Sequence, residues 1–283
     1  MKTNMNVCAI NALVLLLFLL STPADAGLLF ISFDFPGAID TQATAITPTG
    51  DIVGRYTSAD GVQHGFLRSG GTFKTIDFPG STFTDVTWIN PVGQIVGDYN
   101  GTDNKTHGFL LSGQQFTSID YPVAQTTIAA GIAPKGDIVG WEVDTSGNLH
   151  GFLLRNGRFS LIDFPGANFT LPTMIISGHI VGGYFDDAGA HGFLLYRGNF
   201  QAIDCPGYTN LFLSGLDPVG QMTGGFSSPD GSTHGAVVHN GVCTQVDFPG
   251  GTNTYANGNN GQGDIVGRYT GPDGVVHGYL LRR

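Results

Sequence analysis

The sequence predicts an all-β fold, a ring of six four-stranded antiparallel units, and three observations carry that expectation. First, one pattern returns six times: a strand closing on Asp, a Pro-Gly corner, Gly-x-Ile-Val-Gly, then His-Gly-Phe-Leu. The Asp falls at Asp34, Asp77, Asp120, Asp163, Asp204 and Asp247. The His falls at His64, His107, His150, His191, His234 and His277, and the spacing of 43 residues shrinks once to 41. Second, each copy carries turn signals for four short strands. Third, the chain opens and closes on complementary half-units. A period in this range with several strands per unit reads as the blades of a β-propeller.

Residues 1–26 come first and read as a secretory signal peptide. Lys2 supplies the charged start, Ala9 to Leu20 is uncharged, and Ala24-Asp25-Ala26 is an A-x-A cleavage site. The apolar run is too short to span a bilayer. Residues 27–283 are then expected to form a single domain, secreted, periplasmic or extracellular, with no insertion into a membrane once the signal is removed.

The third copy shows how one unit folds. Thr127 to Ala133 is a strand of small side chains, Asp137 to Val143 a second, His150 to Arg155 a third and Arg158 to Asp163 a fourth. Asn156-Gly157 between the last two is a hairpin signal, because both turn residues need positive φ. That turn fixes the register and sets His150 opposite Asp163, where opposed side chains lie closest. The same count pairs His64 with Asp77, His107 with Asp120, His191 with Asp204 and His234 with Asp247. His277 has no partner downstream. The segment 28–34 matches a fourth strand with nothing before it, so pairing it with 277–283 sets Asp34 opposite His277 and closes the ring. Left open, that apolar edge would invite aggregation. By analogy with known propellers the small-residue strand is innermost, and the Asp-Phe-Pro-Gly corners share one face with the loops before each His.

Composition narrows the partners. The net charge is −10 with only 12 Lys and Arg, so no basic stripe exists to displace counterions from nucleic acid, and anionic membrane surfaces are disfavoured. A monomer is expected. Of three Cys, Cys8 belongs to the signal. Cys205 and Cys243 are expected on outer strands of neighbouring units at different heights, which speaks against a bridge, since the Cα atoms must come within about 7 Å.

On Gly-x-Ile-Val-Gly followed by His-Gly-Phe-Leu, residues 28–283 resemble the extracellular HAF-type repeat family, with His-Gly-Phe where that family has His-Ala-Phe. The resemblance implies secretion and a repeat fold; it carries no agreed activity and no catalytic residues.

The candidate sites follow from chemistry and from breaks in the repeat. Asp orienting His is part of a nucleophilic triad, but six copies around a ring with no recurrent Ser or Cys nucleophile point to structural pairs that satisfy the imidazoles. Two residues after Ile-Val-Gly the copies hold Tyr56, Tyr99, Tyr184, Phe226 and Tyr269, yet the third holds Glu142, the only Glu in the chain, beside Trp141, one of two Trp. Glu142 is thus the one catalytic candidate. With Trp141, Phe83, Phe169 and Tyr255 it forms the set of ligand-binding candidates, the last three read as blade-crossing loop aromatics able to stack on rings. No cofactor or metal is expected. The loop carboxylates leave room for Ca²⁺, but the D-x-D-x-D-G loop is absent. The resulting expectation is a non-enzymatic module binding an extracellular carbohydrate or protein through its loop-rich face. The alternatives are a glycan-active hydrolase or lyase using Glu142, which would need a second carboxylate at a defined separation, and a structural envelope protein without a small ligand.

Overall fold

The computed structural model describes residues 28–282, so the signal peptide expected at 1–26 lies outside the described residues. Those residues contain strands and no helix. In chain order, β1 is Leu29–Phe33. Blade 1 comprises β2 Asp40–Ile46, β3 Ile52–Thr57, β4 Gln63–Ser69 and β5 Thr72–Ile76. Blade 2 comprises β6 Thr84–Ile89, β7 Ile95–Asn100, β8 Thr106–Ser112 and β9 Gln115–Ile119. Blade 3 comprises β10 Thr126–Ile132, β11 Ile138–Val143, β12 Leu149–Arg155 and β13 Arg158–Ile162. Blade 4 comprises β14 Phe169–Ile176, β15 His179–Asp186, β16 Gly189–Tyr196 and β17 Asn199–Ile203. Blade 5 comprises β18 Thr209–Leu216, β19 Met222–Ser227, β20 Thr233–His239 and β21 Val242–Val246. Blade 6 begins with β22 Thr252–Asn259, β23 Ile265–Thr270 and β24 Val276–Arg282.

β1 completes blade 6 by pairing antiparallel with β24, from Leu29 opposite Arg282 to Phe33 opposite Gly278. Blades 2 and 3 are joined by a single parallel bridge between Thr106 and Thr126, and the other four are separate sheets. The ring therefore has six blades.

The glycines of the repeat mark where backbones meet. A Cβ on Gly54 would lie 2.0 Å from the Gln42 carbonyl oxygen, and one on Gly65 would lie 2.4 Å from Val86 of the next blade. Any larger residue would force the inner strands and the neighbouring blades apart. This accounts for Gly in both Ile-Val-Gly and His-Gly-Phe. The Phe of the latter motif fills the space between blades: Phe66, Phe109, Phe152 and Phe193 are all fully buried.

Each innermost strand carries a β-bulge at the same place, centred on Thr44, Thr87, Ala130, Thr173, Ser214 and Asn257. A bulge re-aims one side chain, and here it turns these six residues onto the channel. Five of them donate to the backbone of the next blade. Thr44 Oγ1 donates to Val86 O (2.9 Å), Thr87 Oγ1 to Ala129 O (2.6 Å), Thr173 Oγ1 to Leu213 O (2.9 Å), Ser214 Oγ to Ala256 O (3.4 Å) and Asn257 Nδ2 to Ala43 O (2.7 Å). Ala130 has no donor, so the girdle lacks one link.

The corners correct the sequence expectation for cysteine. The residue after each closing Asp is no longer on the outer strand; it turns inward onto the following blade and meets the second residue of that blade's outermost strand. Phe35 meets Phe73 at 5.3 Å, Phe78 meets Phe116 at 5.2 Å, Tyr121 meets Phe159 at 5.0 Å, Phe164 meets Phe200 at 5.2 Å and Phe248 meets Phe30 at 5.4 Å, all edge to face. Cys205 and Cys243 occupy the sixth such pair and form a disulfide, with Cα atoms 5.7 Å apart. The expectation against a bridge failed because it left Cys205 on the strand, whereas the Pro-Gly corner carries it across.

Candidate functional site at the loop-rich end of the channel

All six predicted His–Asp pairs form. The Nδ1–carboxylate distances are 2.9 Å for His64–Asp77, 2.5 Å for His107–Asp120, 3.2 Å for His150–Asp163, 2.7 Å for His191–Asp204, 2.9 Å for His234–Asp247 and 3.0 Å for His277–Asp34. Three imidazoles hold a second carboxylate on Nε2: Asp103 for His107 (3.0 Å), Asp186 for His191 (3.3 Å) and Asp273 for His277 (3.3 Å). At His107 and His277 burial opposes protonation, but the two carboxylates outweigh it and raise the pKa. At His191 the hydrogen bond it donates to Asp204 leads and the direction is the same.

A folded-state pKa raised above the unfolded value of about 6.5 stabilises the fold below that value and ceases to do so as pH rises through the folded value. The thermal midpoint is therefore expected to fall as pH rises from about 6.5 through the raised folded values, and replacing His107, His191 and His277 together by Gln should flatten that slope. An unchanged slope in the triple variant, read by circular dichroism melts, would remove these pairs from the account.

The loop carboxylates serve as turn caps. Asp144 Oδ1 accepts from the Ser146 and Asn148 amides, Asp230 from Ser232, and Asp273 from Val275. Among the described residues no group of three or more His, Cys, Asp or Glu side chains converges to hold a metal.

Trp141 and Glu142 do not share a site. They are neighbours on β11 and so point to opposite faces. Glu142 faces the previous blade, opposite His150 and within the field of Tyr121. It is 4 % exposed, its Oε2 has no hydrogen-bond partner, and burial raises its pKa. In four other blades a Tyr at this position stacks on the corner Phe, as Tyr56 does on Phe35 at 3.7 Å. Glu142 thus replaces a packing residue.

The aromatic candidates also separate. Phe83 is half-buried beside its corner, and Phe169 is 45 % exposed and edge-on to Phe185 at 6.0 Å. Tyr255 lies two register positions further along its innermost strand, over Gly225, where a Cβ would meet its ring at 2.4 Å.

Trp141 faces the channel. With Arg55 it rims a cup of about 140 Å³ whose wall is the bulge girdle Thr44, Thr87, Ala130, Thr173, Ser214 and Asn257 and whose floor is Trp88. Arg55 pairs with Gln42 across the sheet, two residues nearer the corners than Thr44, so the cup opens toward the loop-rich face. Trp88 also lines a cavity of about 50 Å³ on the tight-turn side, with Pro48, Pro91, Pro134 and Pro218, and so separates the two. A volume of this order accommodates one small ring, since engineered cavities of ~150 Å³ take up benzene. Hydroxyls, an amide, a guanidinium and an indole around one recess give both polar partners and a stacking plane.

Arg55 and Trp141 of the rim belong to the column one position after Ile-Val-Gly, which holds Arg55, Asp98, Trp141, Gly183, Gly225 and Arg268. Sequence reasoning compared the next column, which holds Glu142, and reached this one only through Trp141. Its extreme variation, from charge to indole to no side chain, was the available signal. Arg55 Nη1 bonds Asp85 Oδ2 at 2.6 Å, and that charge leads in raising the Arg55 pKa. Gly183 and Gly225 leave room for the Phe212 and Tyr255 rings. One arc of the rim is therefore charged and the other aromatic.

No protein-family model matches the chain, and no curated protein matches it. Among solved structures, the fold is similar to AofleA from Arthrobotrys oligospora (13% identity, 90% of this chain and 86% of that one, TM-score 0.56). It is also similar to a six-bladed fungal lectin from Aleuria aurantia described for its fucose recognition (13% identity, 89% and 90%, TM-score 0.52), and to a putative TolB from Agrobacterium tumefaciens (13% identity, 85% and 89%, TM-score 0.60). Each likeness concerns the fold alone.

Proposed function

We propose that the chain is a secreted, non-enzymatic propeller that binds an extracellular glycan in the cup at the loop-rich end of its channel. The observation that carries this reading is the cup itself. It is one ring in size, walled by hydroxyls and an amide, and flanked by an indole and a fixed guanidinium, the mixture of stacking surface and directed polar groups that sugar rings require. The lectin of similar fold, which recognises fucose, is in keeping with it. A hydrolase built on Glu142 is less well supported, because that carboxyl lies on the other face of β11 and is not part of the cup.

A glycan array followed by calorimetry on the best hit tests the reading. Binding should saturate without turnover, and Trp141→Ala should weaken it at least about tenfold through loss of stacking and burial while leaving the melting temperature within a few degrees. An array without hits, or a Trp141→Ala variant that binds as the parent does, would overturn it.

A further inference from the structure

The charged arc of the rim has an unusual composition. Two guanidinium groups converge on one amide oxygen: Gln42 Oε1 accepts from Arg55 Nη2 at 3.0 Å and from Arg268 Nη1 at 2.7 Å. Arg55 has Asp85 as its counter-ion. Among the described residues no carboxylate stands within ion-pairing distance of Arg268, whose guanidinium instead lies 5.2 Å from the centre of the Tyr255 ring. Burial, then Arg55, lowers the Arg268 pKa, against the opposing pull of Tyr255 and Asp40.

Asp98 does not supply the missing charge. It is 6 % exposed and has no ion pair with Arg268; burial, then the neighbouring Asp85, raises its pKa against the opposing pull of Arg55. Of the two guanidinium groups at this end of the channel, only Arg55 thus has a carboxylate at ion-pairing distance, in a protein of net charge −10. A second Arg held against the first is unfavourable in isolation and becomes favourable when an anion joins them, because a guanidinium fork matches a carboxylate. Blades 6 and 3 are opposite in a ring of six, so Arg268 and Trp141 stand on opposite sides of the channel, with Arg268 joined through Gln42 to Arg55, which lines the cup.

We infer that the cup takes a carboxylate-bearing sugar ring, a uronic acid unit, with its carboxylate on Arg268 and Arg55 and its ring against Trp141. The inference rests on the glycan reading above and names its ligand class.

The experiment is a calorimetric titration of the protein with trigalacturonate, with the same trisaccharide after reduction of its carboxyls to alcohols, and with benzoate, each at low and high NaCl. Trigalacturonate should bind at least about tenfold more tightly than its reduced form, the scale of a charge-assisted hydrogen bond, and salt should narrow that gap. Benzoate should bind more weakly than trigalacturonate. Arg268→Gln should abolish the preference for the acid while leaving the affinity for the reduced sugar within about twofold; Arg268→Lys, which keeps the charge without the planar fork, should fall between. If Arg268→Gln fails to fold, the Lys variant and the salt dependence still decide.

Equal affinity for the two trisaccharides would overturn the acidic assignment and leave the glycan reading intact. Benzoate matching trigalacturonate would overturn the sugar half of the inference. No binding of either trisaccharide, with an array equally blank, would end both readings.

Discussion

Replacing Cys205 and Cys243 together by Ser lowers the unfolding free energy by about 4 kcal/mol, the chain-entropy value for a closed loop of this size; the bridged residues are 38 apart in sequence. Urea titrations of the parent and the double variant, compared by midpoint and slope, measure it. A loss below about 1 kcal/mol would mean that aromatic and blade–blade packing already hold this corner. The repeat supplies its own rescue. In the other five blades the equivalent positions hold edge-to-face aromatic pairs, so Cys205→Phe with Cys243→Phe should regain about 2 kcal/mol over the Ser variant through burial and ring contact. One feature opposes full rescue: Tyr208 already packs against Phe226 at 3.9 Å in the space that the missing corner Phe would otherwise fill.

Deleting residues 28–34 should have a larger effect still, abolishing the monomeric fold. The deletion strips β24 of its outer neighbour and removes Phe33, which is 8 % exposed, and Phe30, which packs on Phe248 and Tyr279. Losing a buried Phe alone costs about 3–5 kcal/mol, against a total stability of about 5–15 kcal/mol for a typical domain. The exposed β24 edge would then pair with other chains. Size-exclusion chromatography and a melt are the readouts, and a monomer melting within a few degrees of the parent would contradict the closure. A circular permutant provides the converse. Leu29 pairs with Arg282, so a short linker joining the ends, with new termini at the Asn156-Gly157 turn, should preserve the fold to within about 1–2 kcal/mol.

Much of this architecture was legible because the repeat copies its constraints. The hairpin turn set the His–Asp register by counting, and the half-units at the two ends implied closure; both describe local pairing, where a strand's period of two leaves little freedom. The disulfide was misjudged for a specific reason. Strand reasoning placed Cys205 by its neighbour Asp204, but a Pro-Gly corner changes direction within one residue, and the destination appears only when Cys205 is compared with Phe35, Phe78, Tyr121, Phe164 and Phe248, and Cys243 with Phe73, Phe116, Phe159, Phe200 and Phe30. The cup was less legible still. Bulges at Thr44 and its five counterparts shift the inner-strand register by one residue, which decides which side chains reach the axis, and no composition rule marks them. Glu142 attracted attention as a chemical singleton, although its column faces a neighbouring blade and the column of Arg55 and Trp141 faces the channel.

The girdle of bulge residues has a consequence for valency. The pockets of a repeat protein are usually multiplied by its copy number, and a binder of that type gains strength from engaging several epitopes at once. Here six blades contribute one wall segment each to a single axial recess, so on the proposed reading the girdle offers one seat where its symmetry would suggest six. On that reading one recess engages one epitope at a time, and its selectivity resides in the differences among its six copies.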